Sequence, residues 1–302
     1  MTRVAAFDCG TNTIKLLVAD LDPATGGETE IVRDLRMVRL GEGVDRTGRL
    51  GDAALARVFG AIDEFAAVVA ERDVQAMRFC ATSAARDASN AADFAEGVRA
   101  RLGIDPEVLS GDEEARLSFL GATRSLGSSP EPVLVVDIGG GSTEFVIGPG
   151  HRSLDIGSVR MTERYLTSDP PTDAEIRAAI DAVDAELDTL PTAGVDLAAA
   201  ATVVGVAGTI TTITAIALDL PAYDRGAIDQ AELVRDDVDE IASRLLGMTV
   251  AERRTIGPMH PGRADVIGAG ALILERIVRR TSVRSLLVSE HDILDGIAWS
   301  IA

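Results

Sequence analysis

The chain has 302 residues, 46% of them apolar, enough for a buried core and for two domains of ordinary size or one large one. A formal net charge of −19 with 3% aromatics provides neither the basic stripe nor the stacking platforms of a nucleic-acid binder. No apolar run reaches the roughly 18–20 residues that cross a bilayer, and Met1-Thr2-Arg3-Val4 leads straight into a strand-like stretch, so the sequence reads as a soluble cytoplasmic protein with no membrane or nucleic-acid partner.

In chain order, strands are predicted at 4–8, 13–20 and near 28–40, then a helix over 52–71, a strand at 75–81, and helices over 91–102 and 111–126. A turn-rich break, Gly127-Ser128-Ser129-Pro130-Glu131-Pro132, follows. Beyond it come strands at 133–137, 144–147 and near 153–157, a helix over 173–190, a strand-like 199–207, and a helix over 234–246. The tail has a helix over 263–281, a strand at 285–288 and a helix near 294–301. Strands interleaved with helices indicate α/β architecture. The break divides the chain into domains at 1–127 and 128–302, with the helix near 292–302 able to pack on the first. Cys9 and Cys80 read as buried, reduced thiols, since two cysteines make neither a disulfide framework nor a zinc set.

An internal repeat carries most of the information. Phe7-Asp8-Cys9-Gly10-Thr11-Asn12-Thr13-Ile14-Lys15 lies over Val136-Asp137-Ile138-Gly139-Gly140-Gly141-Ser142-Thr143-Glu144. Each copy is an apolar strand, an Asp at its end, a Gly/Ser/Thr turn and a second strand, and each opens one half of the chain. Two such halves are expected to face one another across a cleft. Glycine lets the backbone approach phosphate oxygens, successive amides make an anion nest, and a strand-end Asp suits a hydrated Mg²⁺. Lys15, the single lysine among 29 basic residues, and Glu144 occupy equivalent places, the first suited to a phosphate contact and the second to a metal. A polyanionic substrate would meet long-range repulsion from this surface, so local cations, helix N-termini and a divalent ion would have to offset it.

The twin loops resemble the phosphate loops of the actin, Hsp70 and sugar-kinase superfamily. The segments Ala81-Thr82-Ser83-Ala84-Ala85-Arg86, Ser110-Gly111-Asp112-Glu113-Glu114-Ala115-Arg116, Gly205-Val206-Ala207-Gly208-Thr209 and His260-Pro261-Gly262-Arg263-Ala264-Asp265-Val266-Ile267 resemble, within it, the exopolyphosphatase/guanosine pentaphosphatase family in its short, two-domain form. The resemblance implies two ribonuclease-H-like (actin-like ATPase) domains and metal-dependent hydrolysis of terminal phosphoanhydride bonds. The implied substrate is inorganic polyphosphate or, as the alternative, guanosine pentaphosphate. It also implies Mg²⁺ or Mn²⁺ as cofactor and a homodimer as the assembly. A sugar or acid kinase fits the loops equally well but not the 81–86 and 110–116 segments, and a non-catalytic nucleotide-binding protein predicts binding without phosphate release.

Site residues follow from the matched positions. Asp8, Asp137 and Glu144 are expected at the metal. Gly10, Thr11, Asn12, Thr13, Lys15, Gly139, Gly140, Gly141, Ser142 and Thr143 are expected around phosphate, with Gly208, Thr209 and Arg263 as further contacts. Ser110 followed three residues later by Glu113 is a capping-box pattern, which makes Glu113 structural and lets Glu114 point elsewhere; the family resemblance implies that Glu114 is the general base that activates water. The planar fork of Arg86 suits phosphate oxygens. One departure stands out: Leu294 occupies a place where the family it resembles often has Arg, ahead of Asp295-Gly296.

Overall fold

The first sheet opens as a meander. β1 (Thr2–Cys9) pairs antiparallel with β2 (Thr13–Asp22), which pairs antiparallel with β3 (Gly27–Met37). Two helices, α1 (Val44–Thr47) and α2 (Asp52–Ala70), lead to β4 (Ala76–Ala81), which runs parallel to β1. Then come α3 (Ser83–Arg86), α4 (Ala91–Leu102), β5 (Glu107–Val108), parallel to β4, and α5 (Gly111–Arg124). The strand order is β3-β2-β1-β4-β5. Because strand side chains alternate, β1 feeds two cores. Ala5, Phe7 and Cys9 pack with Val58, Ile62 and Phe65 of α2 and Phe94 of α4. Val4 and Ala6 pack with Cys80, Leu109 and Leu117 on the other face. The two free thiols therefore lie on opposite faces of one sheet.

The second sheet repeats the plan. β6 (Val133–Ile138), β7 (Thr143–Ile147) and β8 (Gly150–Leu154) form an antiparallel meander. After α6 (Ser158–Tyr165) and α7 (Asp173–Leu187), β9 (Thr202–Val206) joins β6 in parallel. Next are α8 (Ala207–Ala217), α9 (Arg225–Ile228), β10 (Glu232–Val234), α10 (Arg235–Gly247), α11 (Val250–Arg253), α12 (Ile267–Val278) and β11 (Ser285–Val288), the last parallel to β9. The order β10-β11-β9-β6-β7-β8, read from the hairpin side, is that of the first sheet plus one antiparallel edge strand. These are two mixed sheets of the ribonuclease-H-like, actin-like kind.

This computed structural model describes the whole chain except Ser125 and Ser128, so the last turn of the helix predicted over 111–126 and the middle of the predicted break fall partly outside the described residues. The chain divides into two compact units, Met1–Arg124 with Asp292–Ala302, and the intervening residues up to His291. The terminal α13 (Ile293–Trp299) belongs to the first unit, where Ile293, Leu294, Ile297 and Ala298 complete the core around Val4 and Leu117. Leu294 is a fully buried member of that core. Among the described residues no helix is long and apolar enough to cross a membrane.

Several elements differ from expectation. The strand placed near 153–157 is Gly150–Leu154, reached by a tight turn from β7. The helix expected from 263 starts at Ile267, behind a run of turns. The helices α6 and α8 have no counterpart in the sequence reading, nor do the four-residue helices α1, α3, α9 and α11 or the short strands β5 and β10. Gly205 to Thr209 is the junction of β9 and α8, with Ala207 held at φ 68°, the left-handed region that non-glycine residues rarely adopt.

Candidate active site

The two loops of the repeat are superimposable in hydrogen bonding. In the first, the Gly10 amide donates to the Thr13 carbonyl at 2.9 Å; in the second, Gly139 donates to Ser142 at 3.0 Å. Strand register then places Asp8 opposite Lys15 and Asp137 opposite Glu144, so each pair projects from the same face of its sheet.

The loop carbonyls are also tied back alike. Thr11 O accepts from the Gly41 amide at 2.8 Å, and Asn12 O from the amides of Val38 (3.0 Å) and Arg39 (2.9 Å). In the second loop, Gly139 O accepts from Ser158 (3.0 Å), and Gly140 O from Val159 (2.8 Å) and Arg160 (3.1 Å), all at the start of α6. The Arg160 guanidinium Nε takes Gly141 O at 2.7 Å. In a planar trans peptide the N–H of one residue points opposite to the C=O before it. Fixing the carbonyls on one side therefore turns the amides of Asn12, Thr13, Gly140, Gly141 and Ser142 to the other. Each loop is thus a row of donors prepared for an anion.

Loop 1 is stiffened further by contact with the segment that carries Arg86. Thr11 Oγ1 and Ser83 Oγ lie 2.8 Å apart in a buried hydrogen bond. A Cβ on Gly41 would sit 2.2 Å from Thr11 Cγ2, so only glycine admits this approach. From α3, Arg86 Nη1 donates to the Leu109 carbonyl (2.9 Å) and to Glu114 Oε2 (3.0 Å). Glu114 is buried in the first turn of α5, where the helix N-terminus favours a carboxylate. Its neighbour Glu113 behaves differently. The Glu113 amide donates to Ser110 Oγ at 3.2 Å, and its carboxylate accepts from Arg78 at 2.8 Å. The tandem acids are thus separated: Glu113 is held in an ion pair with Arg78, and Glu114 is held beside Arg86.

Lys15 forms ion pairs with both Asp8 (3.0 Å) and Asp292 (2.6 Å), the latter being the N-cap of α13. Burial pushes the Asp8 carboxyl up, against the pull of the Lys15 ammonium, and the Asp292 charge adds to the rise. Asp292 is a partner of Lys15 that the sequence did not single out. Removing the one cation leaves two close carboxylates, so Lys15→Met is expected to cost about 2 kcal/mol in urea denaturation, less than the 3–5 of a fully buried pair because Lys15 and Asp292 keep some solvent. Asp8→Asn in the same chain should restore part of the loss.

The second unit carries the opposite charge at the equivalent place. Asp137 and Glu144 are both buried, and Glu144 Oε1 accepts from Ser153 Oγ, its partner on β8, at 2.7 Å. Two acids side by side on adjacent strands repel unless a cation lies between or near them. Thr143 is fully buried, and its hydroxyl donates to the Ile156 carbonyl. Gly208 lies in the first turn of α8, and a Cβ there would lie 2.3 Å from the Arg263 guanidinium, which also donates to Thr212 Oγ1 at 3.1 Å. Thr209 packs against Gly270 of α12. Arg263 is thereby seated at the N-terminus of α8, next to the strained Ala207; such strain is commonly retained at functional sites. The sequence reading missed Gly157 and Arg160. Their one signal was a glycine closing a strand, Ile156-Gly157-Ser158, in the manner of the two repeat loops.

Comparison with known proteins identifies the chain's family. The model of the Ppx/GppA phosphatase family matches residues 18–302. Exopolyphosphatase 2 of Mycobacterium tuberculosis is 47% identical over 100% of this chain and 99% of its own length. A solved exopolyphosphatase-like protein is similar at 44% identity and TM-score 0.96, over 99% of this chain and 97% of that one. The Aquifex aeolicus Ppx/GppA family member is similar at 30% identity and TM-score 0.82, with the same coverage of both chains. With the family model spanning nearly its whole length, the chain belongs to the Ppx/GppA phosphatase family.

Proposed function

We propose that this protein is an exopolyphosphatase, hydrolysing terminal phosphoanhydride bonds of inorganic polyphosphate and releasing orthophosphate with a divalent cation, Mg²⁺ or Mn²⁺. The observation that carries the reading is the pair of loops with their carbonyls tied back and their amides turned outward, one at the head of each unit. The name of the Mycobacterium tuberculosis relative supports the choice of polyphosphate.

The residues fit a hard cation. Asp137 and Glu144 are buried acids at paired positions of adjacent strands, and carboxylate oxygen is the donor type that Mg²⁺ and Mn²⁺ take. Asp8, which belongs to the first unit, is the third acid proposed as a metal ligand, and Lys15 is its resident counter-charge. When bound, the metal would neutralise phosphate charge and polarise the phosphoryl oxygens. The loops Gly10 to Thr13 and Gly139 to Thr143, through the outward-turned amides of Asn12, Thr13, Gly140, Gly141 and Ser142, are the proposed phosphate contacts together with Lys15, Gly208, Thr209 and Arg263. Arg86, braced by the Leu109 carbonyl, steadies phosphate oxygens. Glu114 orients the attacking water and takes its proton. Catalysis of this kind consists mostly of positioning and charge stabilisation.

Phosphate release from short polyphosphate, long polyphosphate, guanosine pentaphosphate and ATP, measured side by side, tests the reading. Polyphosphate is expected to be the fastest. Release from guanosine pentaphosphate alone would reassign the substrate, and ATP-dependent transfer to an acceptor with no free phosphate would replace hydrolysis by kinase chemistry.

A further inference from the structure

We infer that Arg160 is a positioning residue for the second phosphate loop: it holds the Gly141 carbonyl so that the Ser142 amide stays turned toward the phosphate. The inference rests on the phosphate-binding reading of that loop.

The argument begins with the difference between the two loops. Asn12 and Gly141 are equivalent in the repeat. The Asn12 carbonyl is held by two main-chain amides, those of Val38 and Arg39. The Gly141 carbonyl is held by a side chain, the Arg160 Nε at 2.7 Å. Loop 2 also has three consecutive glycines where loop 1 has Gly-Thr-Asn. Glycine opens many backbone conformations, so the bonds made from outside decide which one is populated. Loop 1 has the Thr11–Ser83 hydrogen bond to restrain it, whereas Gly140 and Gly141 have no side chains with which to do the same.

α6 is built to deliver this arginine. A Cβ on Gly157 would lie 2.3 Å from both C and O of Gly140 and 2.4 Å from the Gly141 amide, so the helix start can reach the loop only because residue 157 is glycine. From there Ser158, Val159 and Arg160 bind the first two carbonyls with main-chain amides, and the Arg160 side chain turns back to the third. That side chain is 10% exposed, and its other end lies 3.6 Å from Asp155. The fork is thus anchored at both ends, which keeps Nε on the carbonyl. With the Gly141 C=O fixed, peptide planarity fixes the Ser142 N–H in the opposite direction.

The test compares wild type, Arg160→Ala and Arg160→Lys in steady-state phosphate release from polyphosphate with Mg²⁺, alongside thermal melting. Arg160→Ala is expected to raise KM about tenfold with kcat changed less than about threefold, the pattern of lost ground-state binding. Arg160→Lys, which keeps one donor, should return KM to within about threefold of wild type. A merely structural role would lower apparent kcat through inactive molecules and leave KM unmoved. An unchanged KM in Arg160→Ala overturns the inference, as does a lysine variant no better than alanine. A wild-type chain that releases no phosphate from polyphosphate overturns the proposed substrate alone. Binding of inorganic phosphate then decides the role of Arg160: about tenfold weaker binding in Arg160→Ala supports it, and equal binding overturns it.

Discussion

Glu114→Gln is expected to cut phosphate release by about 10²–10⁴-fold while leaving polyphosphate affinity close to wild type. The amide is nearly isosteric with the acid and retains an oxygen to accept the hydrogen bond that Arg86 donates at 3.0 Å, so the first turn of α5 should keep its shape. What it loses is the capacity to take a proton from water. Glu113→Gln is the natural control. That residue is paired with Arg78, and its loss should cost only the few tenths to one kcal/mol of a part-exposed ion pair, with turnover unchanged. Stopped-time phosphate assays and equilibrium binding measured on the same preparations separate the two effects. If Glu114→Gln turns over normally, the proton acceptor lies elsewhere.

Gly296→Ala should destabilise the protein by about 3 kcal/mol and lower its melting temperature by roughly 10 °C. The physical cause is a crossing of α13 over α5 at backbone contact. A Cβ on Gly296 would lie 1.9 Å from the Leu117 carbonyl oxygen, and one on Gly121 would lie 1.8 Å from that of Asp292. Main chain faces main chain on both sides, so no flexible side-chain tip can yield. Helix propensity works in the other direction, favouring alanine by about 1 kcal/mol, and the clash outweighs it. Gly60, inside α2, has nothing within 4 Å of the Cβ position, so Gly60→Ala should stabilise by up to about 1 kcal/mol. Opposite signs for one substitution at two helical glycines would identify the crossing as the cause. Activity should follow the α5 clash as well, since Leu117 is one turn from Glu114 and small misplacements of a reacting group cost rate steeply.

How much of this was legible in the sequence depended on how local the determining interactions were. The twin hairpins were readable because strand, Asp, glycine turn and strand lie within a dozen residues, and the observed register pairs Asp8 with Lys15 and Asp137 with Glu144 as the alignment of the repeat implies. That Glu113 and Glu114 take different partners was legible in the spacing of Glu113 to Ser110. α8 was hidden by its Thr-Ile-Thr-Thr-Ile-Thr run, whose β-branched residues favour strands. The structure overrides that preference by burial and by letting the hydroxyls of Thr212 and Thr214 bond back to the carbonyls of Gly208 and Ile210. α6 is eight largely polar residues, too short for periodicity to register. The second partner of Lys15 is 277 residues away in sequence, and no local pattern announces such a pairing.

The membership of α13 in the first unit sets an order for events on the ribosome. By the time Arg124 has been made, every other strand and helix of that unit exists, yet the apolar face formed by Val4, Ala6, Leu17 and Leu117 still lacks its cover. Translation proceeds at roughly 5–20 residues per second, so the wait for Ile293 lasts on the order of 10–35 s. During that interval the second unit can finish folding, since all its strands are contiguous in the chain. The half made first is thus the half completed last. Until Ile293 emerges the nascent chain carries an uncovered apolar seam, and a chain truncated ahead of Ile293 would keep that seam exposed.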